Sequence, residues 1–497
     1  MTVQPGTLQH RLHAFGISAA LLRLSDGSQL EILEVVRTVP GKRLVCRCMW
    51  NALCVYAKIF VGHDARRYAG RDEHGVMLLQ DVGIKTPPLL CAAGLAGGQG
   101  RVLVFAEVAD ALNAEQACLV MDADAKFRLA SLLVKAVAHH HRNKLLQTDL
   151  YLKNFLVKHD EVYTLDGDGI RALSPLFQKR RQLYNLATLF SKFDALDDAW
   201  IKVLYAEYCV QSGMVQSAAD EARVCYWTQK IRHQVASGYA DKKVFRSCTD
   251  VKVVQGFSSF KAVAAGFDVE NDALASLDLL LAEPQANIKN GNTCTVAQAV
   301  LAGRQVIIKR YNIKGFWHGL SRALRRSRAA QSWANAHRLL MLNVATPKPL
   351  ALVEERIGFL RRRAYFLSEY IDAPDVKQYF AKPAAVADKK AVARNLAMLF
   401  YKLYLLKISH GDCKASNIKI LGLQPVLIDL DAMQANFACW LGYWFGDWRF
   451  KRQHAKDLVR FMQNWEDDME TRHLLRHALQ QAYSKDAVEA LFRAGIA

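Results

Sequence analysis

Residues 410–431 read HGDCKASNIKILGLQPVLIDLD, and residues 147–168 read QTDLYLKNFLVKHDEVYTLDGD. The two stretches share little text, yet their polar positions coincide. Asp149 and Asp412 open the set, Asn154 and Asn417 follow 5 residues on, and Asp166 and Asp429 follow 17 residues after the first Asp. A Lys in a strand-like run stands upstream of each set: Lys58 in VYAKIF, 91 residues before Asp149, and Lys309 in QVIIKRY, 103 residues before Asp412. Asp and Asn are common loop residues, so one occurrence would mean little. Two occurrences in the same order imply one architecture used twice.

The order is that in which a protein-kinase-like fold supplies a phosphate-pairing Lys, a catalytic Asp and two metal-binding side chains. On that reading Asp149 and Asp412 orient the attacking hydroxyl or accept its proton. Asn154 with Asp166, and Asn417 with Asp429, are oxygen ligands for Mg2+. Lys58 and Lys309 face the phosphates of ATP, and Glu73, just ahead of the apolar run VMLL, is the candidate carboxylate partner of Lys58. Asp168 is an alternative or additional metal ligand. Asp431 either assists the metal or caps the local turn. Lys414 either neutralises charge on the transferred phosphoryl group or faces solvent. The turns Val39-Pro40-Gly41-Lys42-Arg43 and Asn290-Gly291-Asn292-Thr293 are candidate phosphate covers, although neither repeats glycine as a nucleotide loop does. Asn335 stands in the second half where Glu73 is expected in the first; a neutral amide cannot pair ionically with Lys309, and Glu369 is a candidate substitute.

The periodicity between these points alternates strand and helix. LLRLSDGSQLEILEVV, RLVCRCMW and CVYAKIF alternate as strands, a helix follows over residues 65–82, and Pro87 and Pro88 end it. RVLVFAEVAD is the next strand, and residues 175–230 are mainly helical. A second cycle repeats the order: strands through RQVIIKRY, a helix from Ala329 to Leu342, the break ATPKPL, the strand RAYFLSEYI, and helix over residues 385–408 and again over the last seventy residues. The expected fold is α+β, two tandem protein-kinase-like modules at residues 1–235 and 236–497, each with a small β-rich lobe and a mainly helical lobe.

Composition narrows the partners. The chain has 497 residues and a formal charge of +19, which calls for an anionic partner. Thirteen Lys or Arg and only two acids, Glu354 and Glu355, fall between Lys309 and Arg363. There KGFWHGLSRALRRSRAAQSW mixes aromatic and basic residues, the pattern of a solvated helix face or of a surface helix on an anionic membrane. Nucleic acid is not expected, because zinc-finger spacing and single-strand platform motifs are missing. The 11 cysteines lack metal-ligand spacing and suit a reducing compartment. The N-terminal text lacks the apolar core of a signal peptide and the apolar runs are short, so a soluble, cytoplasmic protein is expected.

The stretch HRNKLLQTDLYLKNFLV resembles the catalytic loop of bacterial lipopolysaccharide core heptose kinases, members of the lipopolysaccharide kinase family within the protein-kinase-like superfamily. His141 lies near a His-rich helix end, Asp149-Leu150-Tyr151 forms the loop, and Phe155-Leu156 opens the next strand. The family commonly has His-Arg before the catalytic Asp, where this chain has Gln147-Thr148. HGDCKASN with LIDLD, and SWANAHRLLMLNVATPKPL, resemble the same superfamily in the second half. The resemblance implies an ATP- and Mg2+-dependent sugar kinase acting on heptose hydroxyls of the lipopolysaccharide inner core. The acceptor would be core oligosaccharide on lipid A at the cytoplasmic face of the inner membrane, with the enzyme peripheral to that surface. The alternatives are a protein or aminoglycoside-type kinase, disfavoured by the lack of APE and DFG segments, and a partly inactive scaffold in envelope glycan assembly.

Overall fold

Alternating apolar residues build an antiparallel sheet from the first six strands: β1 (Leu21–Arg23), β2 (Gln29–Val39), β3 (Arg43–Trp50), β4 (Leu53–Val61), β5 (Leu89–Gly94) and β6 (Gly100–Ala106). Their order is β1-β2-β3-β4-β6-β5. The computed structural model describes residues 20–39, 41–98, 100–282, 287–291, 294–311, 326–358, 360–383, 385–436, 443–483 and 495. Pro40, residues 292–293 of the second proposed phosphate cover, and residues 312–325 of the basic aromatic segment lie outside the described residues. The chain divides into two compact units, Met1–Phe193 with Asp197–Thr228, and Asp194–Leu196 with Gln229–Ala497.

In the first unit β4 buries Val55, Ala57 and Ile59 on one face, against Cys46, Cys48 and Val104. Period two then puts Lys58 on the opposite face. That face is covered by α1 (Ala65–Asp81), which packs Ala65, Ala69 and Val76 against Phe60, Leu103 and Phe105. Beyond the sheet, α2 (Ala123–Arg142) starts on the Asp122 side chain, which accepts from Ala125 N at 2.8 Å, and ends in His139, His140, His141 and Arg142. An acidic cap and a basic last turn both suit the helix dipole. The short strands β7 (Leu112–Asn113), β8 (Leu145–Gln147), β9 (Phe155–Lys158), β10 (Glu161–Thr164) and β11 (Ile170–Ala172) carry the candidate loop, with β8 paired to β11 and β9 to β10. The helices α3 (Gln178–Phe190) and α4 (Ile201–Ser212) complete this part, α4 packing against α2. The longer α5 (Ala218–Asp241) contains the division between the units.

The second unit has a seven-stranded antiparallel sheet of β12 (Val251–Gln255), β13 (Ser259–Ala264), β14 (Asn287–Asn290), β15 (Cys294–Leu301), β16 (Arg304–Tyr311), β17 (Pro349–Ile357) and β18 (Leu360–Glu369). Their order is β12-β13-β17-β18-β16-β15-β14. One face packs on two short helices through Leu274, Leu277 and Leu281. The other packs on α6 (Arg328–Met341) through Ala329, Ala330 and Trp333. The strands β19 (Ile408–Ser409), β20 (Ile418–Leu421), β21 (Gln424–Leu427) and β22 (Gln434–Ala435) again hold the loop, β19 paired to β22 and β20 to β21. Helices α7 (Val386–Leu405), α8 (Tyr443–Met462) and α9 (Met469–Ala482) form the core beneath it, with Leu396, Phe400, Leu403, Leu458, Phe461 and Trp465 buried together. Two strands fall where breaks are expected: β5 begins one residue after Pro88, and β17 begins at Pro349 itself. Pro is tolerated there because the first residue of a strand can dispense with a ladder donor. Among the described residues no helix is long and apolar enough to cross a membrane.

Candidate active sites

Each unit positions its loop by the same local bonds. Asn154 Nδ2 donates to Asp149 O at 2.8 Å, and Asn417 Nδ2 donates to Asp412 O at 2.8 Å. Leu165 N donates to Asn154 O at 2.8 Å, and Ile428 N to Asn417 O at 2.9 Å. These bonds bring the residue after each of those amides, Asp166 or Asp429, beside the Asn. Both of these Asp adopt the left-handed region, at φ 65° and 60°. Strained backbone of this kind is concentrated at ligand-binding turns. With the amide nitrogen committed to the backbone, the Asn side-chain oxygen is left for a cation. A carboxylate and an amide oxygen form the hard donor set that Mg2+ takes.

In the first unit, Val45 faces Lys58 across the β3–β4 ladder, and Lys58 reaches two carboxylates. Its Nζ lies 2.7 Å from Asp72 Oδ2 and 3.3 Å from Asp166 Oδ1. The helix partner is therefore Asp72, and the expectation of Glu73 is corrected. One residue along a helix is a rotation of about 100°, and Glu73 turns away to Arg101 at 3.3 Å. Arg43 joins the cluster, 3.1 Å from Asp166 and 3.4 Å from Asp72. Burial pushes the fully buried Asp72 carboxyl up, against the pull of Lys58. Burial acts in the same sense on Asp166, but Lys58 and Arg43 outweigh it and hold that group below the usual carboxylate range. Asp168 pairs with Arg71 of α1 at 2.9 Å. Asp149 lies within electrostatic reach of Lys192, whose ammonium sits 4.3 Å over the Tyr151 ring.

The second unit fills the same places differently. Val296 faces Lys309 across the β15–β16 ladder, and Lys309 bonds Asp429 and lies 3.8 Å from Asp431. Burial lowers the Lys309 ammonium, but Tyr311, Asp429 and Asp431 outweigh it and raise the group. Asp431 pairs with Arg328 at the start of α6, as Asp168 does with Arg71. Both of these second Asp thus tie the turn after Asp166 or Asp429 to a helix arginine. Counting back from the shared Thr86-Pro87 and Thr346-Pro347, Asn335 takes the position of Gly75, and Ser332 that of Asp72. Asn335 does not stand in for the helix acid: it is fully buried, and its Nδ2 donates to Leu430 O at 2.8 Å and Met433 O at 3.1 Å. In the first unit a glycine pair makes this contact, since a Cβ on Gly75 would lie 1.9 Å from Gly167 O. Glu369 ends β18, its N donating to Lys348 O.

Asp412 is flanked by cations. Lys414 Nζ lies 2.9 Å from Asp412 Oδ2, and Arg460 Nε lies 3.9 Å from Oδ1. The loop before it is anchored by Asp457 of α8, unmarked in the sequence reading, which accepts from His410 N at 2.6 Å and Gly411 N at 2.9 Å. Burial raises the Asp457 carboxyl, with His410 drawing it back. Gly411 is required twice over: its φ is +83°, and a Cβ would lie 2.6 Å from Ala432 O. His410 Nε2 also meets Ile428 O at 3.0 Å, tying the loop to the residue just before Asp429. The first unit has Gln147 at the His410 position; its two side-chain polar atoms are buried without a partner. Asn185 there replaces Asp457 and donates to Gln147 O at 2.8 Å.

Residues 280–438 match the family model described as Lipopolysaccharide kinase (Kdo/WaaP) family. That span carries Lys309, Asp412, Lys414, Asn417, Asp429 and Asp431. No curated protein matches the chain.

Proposed function

We propose, taking as premise that residues 280–438 match the lipopolysaccharide kinase family, that the chain is an ATP-dependent phosphotransferase acting on sugar hydroxyls, heptose above all, of the lipopolysaccharide inner core. The two units are read as tandem kinase-like modules, residues 1–235 and 236–497. The observation that carries the reading is that Lys309, Asp412, Asn417 and Asp429, separated by up to 120 residues, meet around one loop inside the matched span.

Mg2+-ATP, when bound, supplies a transferable phosphoryl group and the charge that neutralises its oxygens. Asn417 and Asp429 would hold the metal through their side-chain oxygens, with Asp431 keeping Arg328 beside them. Lys309 would hold phosphate oxygens once it exchanges Asp429 for them. Asp412 would orient the acceptor hydroxyl and take its proton, while Lys414 steadies the carboxylate and offers a charge to the transferred group. Lys58, Asp149, Asn154 and Asp166 have the same roles in the first unit, where Asp72 adds a helix carboxylate that holds Lys58. A second reading, in which the first unit supports the other without transferring phosphate, is favoured by Arg43 on Asp166 and by the unpartnered Gln147.

The test supplies purified protein with ATP, Mg2+ and lipopolysaccharide lacking core phosphate, and maps the product by mass spectrometry. Asp149→Ala and Asp412→Ala are compared with wild type. Two active units predict that each variant loses one distinct phosphate; a supporting first unit predicts loss only in Asp412→Ala. Transfer to protein or aminoglycoside, with none to core glycan, would reject the substrate.

A further inference from the structure

A groove of about 680 Å³ opens between the catalytic-loop residues Gly411 and Asp412 and one face of α8. Trp448, Arg452 and Lys456 line it at successive i, i+4 positions, and Arg460 continues the row. The three cations are exposed, and the Trp448 ring is half-exposed beneath the Arg452 guanidinium at 5.7 Å. Like charges four apart on a helix destabilise it, so this row does not serve the helix. The acids nearby neutralise little of it: Asp457 is turned inward to the loop backbone, and Asp412 is divided between Lys414 and, at 3.9 Å, Arg460.

The first unit has a groove at the same place, about 490 Å³, lined by Thr148, Arg180, Tyr184 and Thr188. Aligning Asn185 with Asp457 puts Arg180 at Arg452, Tyr184 at Lys456 and Thr188 at Arg460. The cation at Arg452 is therefore common to both grooves, Lys456 and Arg460 are specific to the second, and the first adds Arg181 at the Gln453 position.

We propose that the second unit's groove is its acceptor site and selects an anionic saccharide. Arg452 and Lys456 bind carboxylate groups of the saccharide, Trp448 covers an apolar sugar face, and Arg460 holds a further anion beside Asp412. The reacting hydroxyl then faces the Asp412 carboxylate. This rests on the transfer reading above for its chemistry, but the binding claim stands separately.

The full-length protein and Arg452→Gln/Lys456→Gln are assayed with deacylated core oligosaccharide and with its carboxyl-reduced form, beside calorimetric binding of both. Each lost charge-assisted contact is expected to raise the acceptor KM about tenfold, with kcat and the ATP KM unchanged. The charge-preserving Arg452→Lys/Lys456→Arg should stay near wild type, and wild type should show a similar penalty on the carboxyl-reduced acceptor. Equal acceptor KM in all variants would overturn the proposal. So would loss of binding to phosphatidylglycerol vesicles with oligosaccharide binding intact, which would make the row a lipid contact. If no phosphate is transferred at all, the transfer reading fails, and calorimetry decides the groove. Oligosaccharide bound by wild type and Asp412→Ala but not by the double Gln variant supports it; oligosaccharide bound by none overturns it.

Discussion

Arg43 holds Asp166 through a guanidinium 3.1 Å from Oδ1, two residues along the strand from the position that faces Lys58. The same register in the second unit puts Cys294 there, so among the described residues Asp429 faces Lys309 without such an arginine. Arg43 and a metal ion would compete for one carboxylate. In an Asp429→Asn background, which silences the second site, Arg43→Ala is expected to lower the Mg2+ concentration that half-saturates nucleotide binding. Calorimetry at graded Mg2+ reads this; an unchanged midpoint would show that the arginine and the metal do not compete.

Asp72 and Glu73 are neighbours with opposite expectations. Asp72→Ala leaves Lys58 and Arg43 short of a buried partner and should cost about 3 kcal/mol. Glu73→Ala breaks a half-exposed pair with Arg101 and should cost below about 1 kcal/mol. Urea unfolding of the two variants measures the difference, and equal losses would return Glu73 to the partner's role.

The helix-to-loop contact is steric in one unit and hydrogen-bonded in the other. Gly75→Ala forces a Cβ into Gly167 O and should destabilise by about 3 kcal/mol or abolish folding of the first unit. Asn335→Ala leaves two backbone carbonyls without their donor and should cost about 1–3 kcal/mol. Asn335→Asp, which removes the donor but keeps the shape, should be at least as harmful; tolerance of it in thermal melts would refute the bonding role.

Asp457→Ala removes the acceptor of the His410 and Gly411 amides. The expected outcome is a fall in kcat of about 100-fold, with the ATP KM little changed. Steady-state phosphate transfer, monitored at the product of the second unit, separates this from a binding defect.

His140 and His141 are fully buried and neutral, His140 against Thr164 and His141 between Tyr208 and Asn185. Burial lowers their pKa from 6.5 to about 3 and about 4 respectively. The unfolded chain therefore binds their protons first on acidification. Their stabilisation is whole above pH 6.5, declines as pH falls, and is lost by the time pH passes the folded values. At pH 5.5 each should cost the first unit about 1.4 kcal/mol relative to pH 7.5. His141→Gln should shrink that loss; an identical pH slope in variant and wild type would count against it.

Much of this was legible before the fold. The ladders β3, β4 and β16 and helices α1 and α6 follow period two or period 3.6 clearly, and the loop residues carry their own spacing. Helix phase was not legible: Asp72 and Glu73 differ by one step, and only packing decides which faces the sheet. β17 was hidden because its first six residues are buried without alternation, the pattern of a central strand rather than a half-exposed one. Asp457 left a signal that could have been used, an acid set in the apolar stripe of His454, Leu458 and Phe461. Its partner loop lies 46 residues earlier, and nothing local in the text joins the two.

The left-handed backbone at Asp166 and Asp429 bears on how these sites are interrogated. Left to itself that conformation favours glycine, tolerates Asn and Asp, and penalises alanine by about 1–2 kcal/mol. An alanine scan at either position thus mixes a lost ligand with a strained turn. Asparagine preserves the turn and removes only the charge, while glycine relaxes the turn and removes the whole side chain. The gap between the Gly and Ala variants measures geometry, and the gap between Asp and Asn measures charge. A chain indifferent to charge at these two turns would have been free to settle on either uncharged residue, and both units keep the acid.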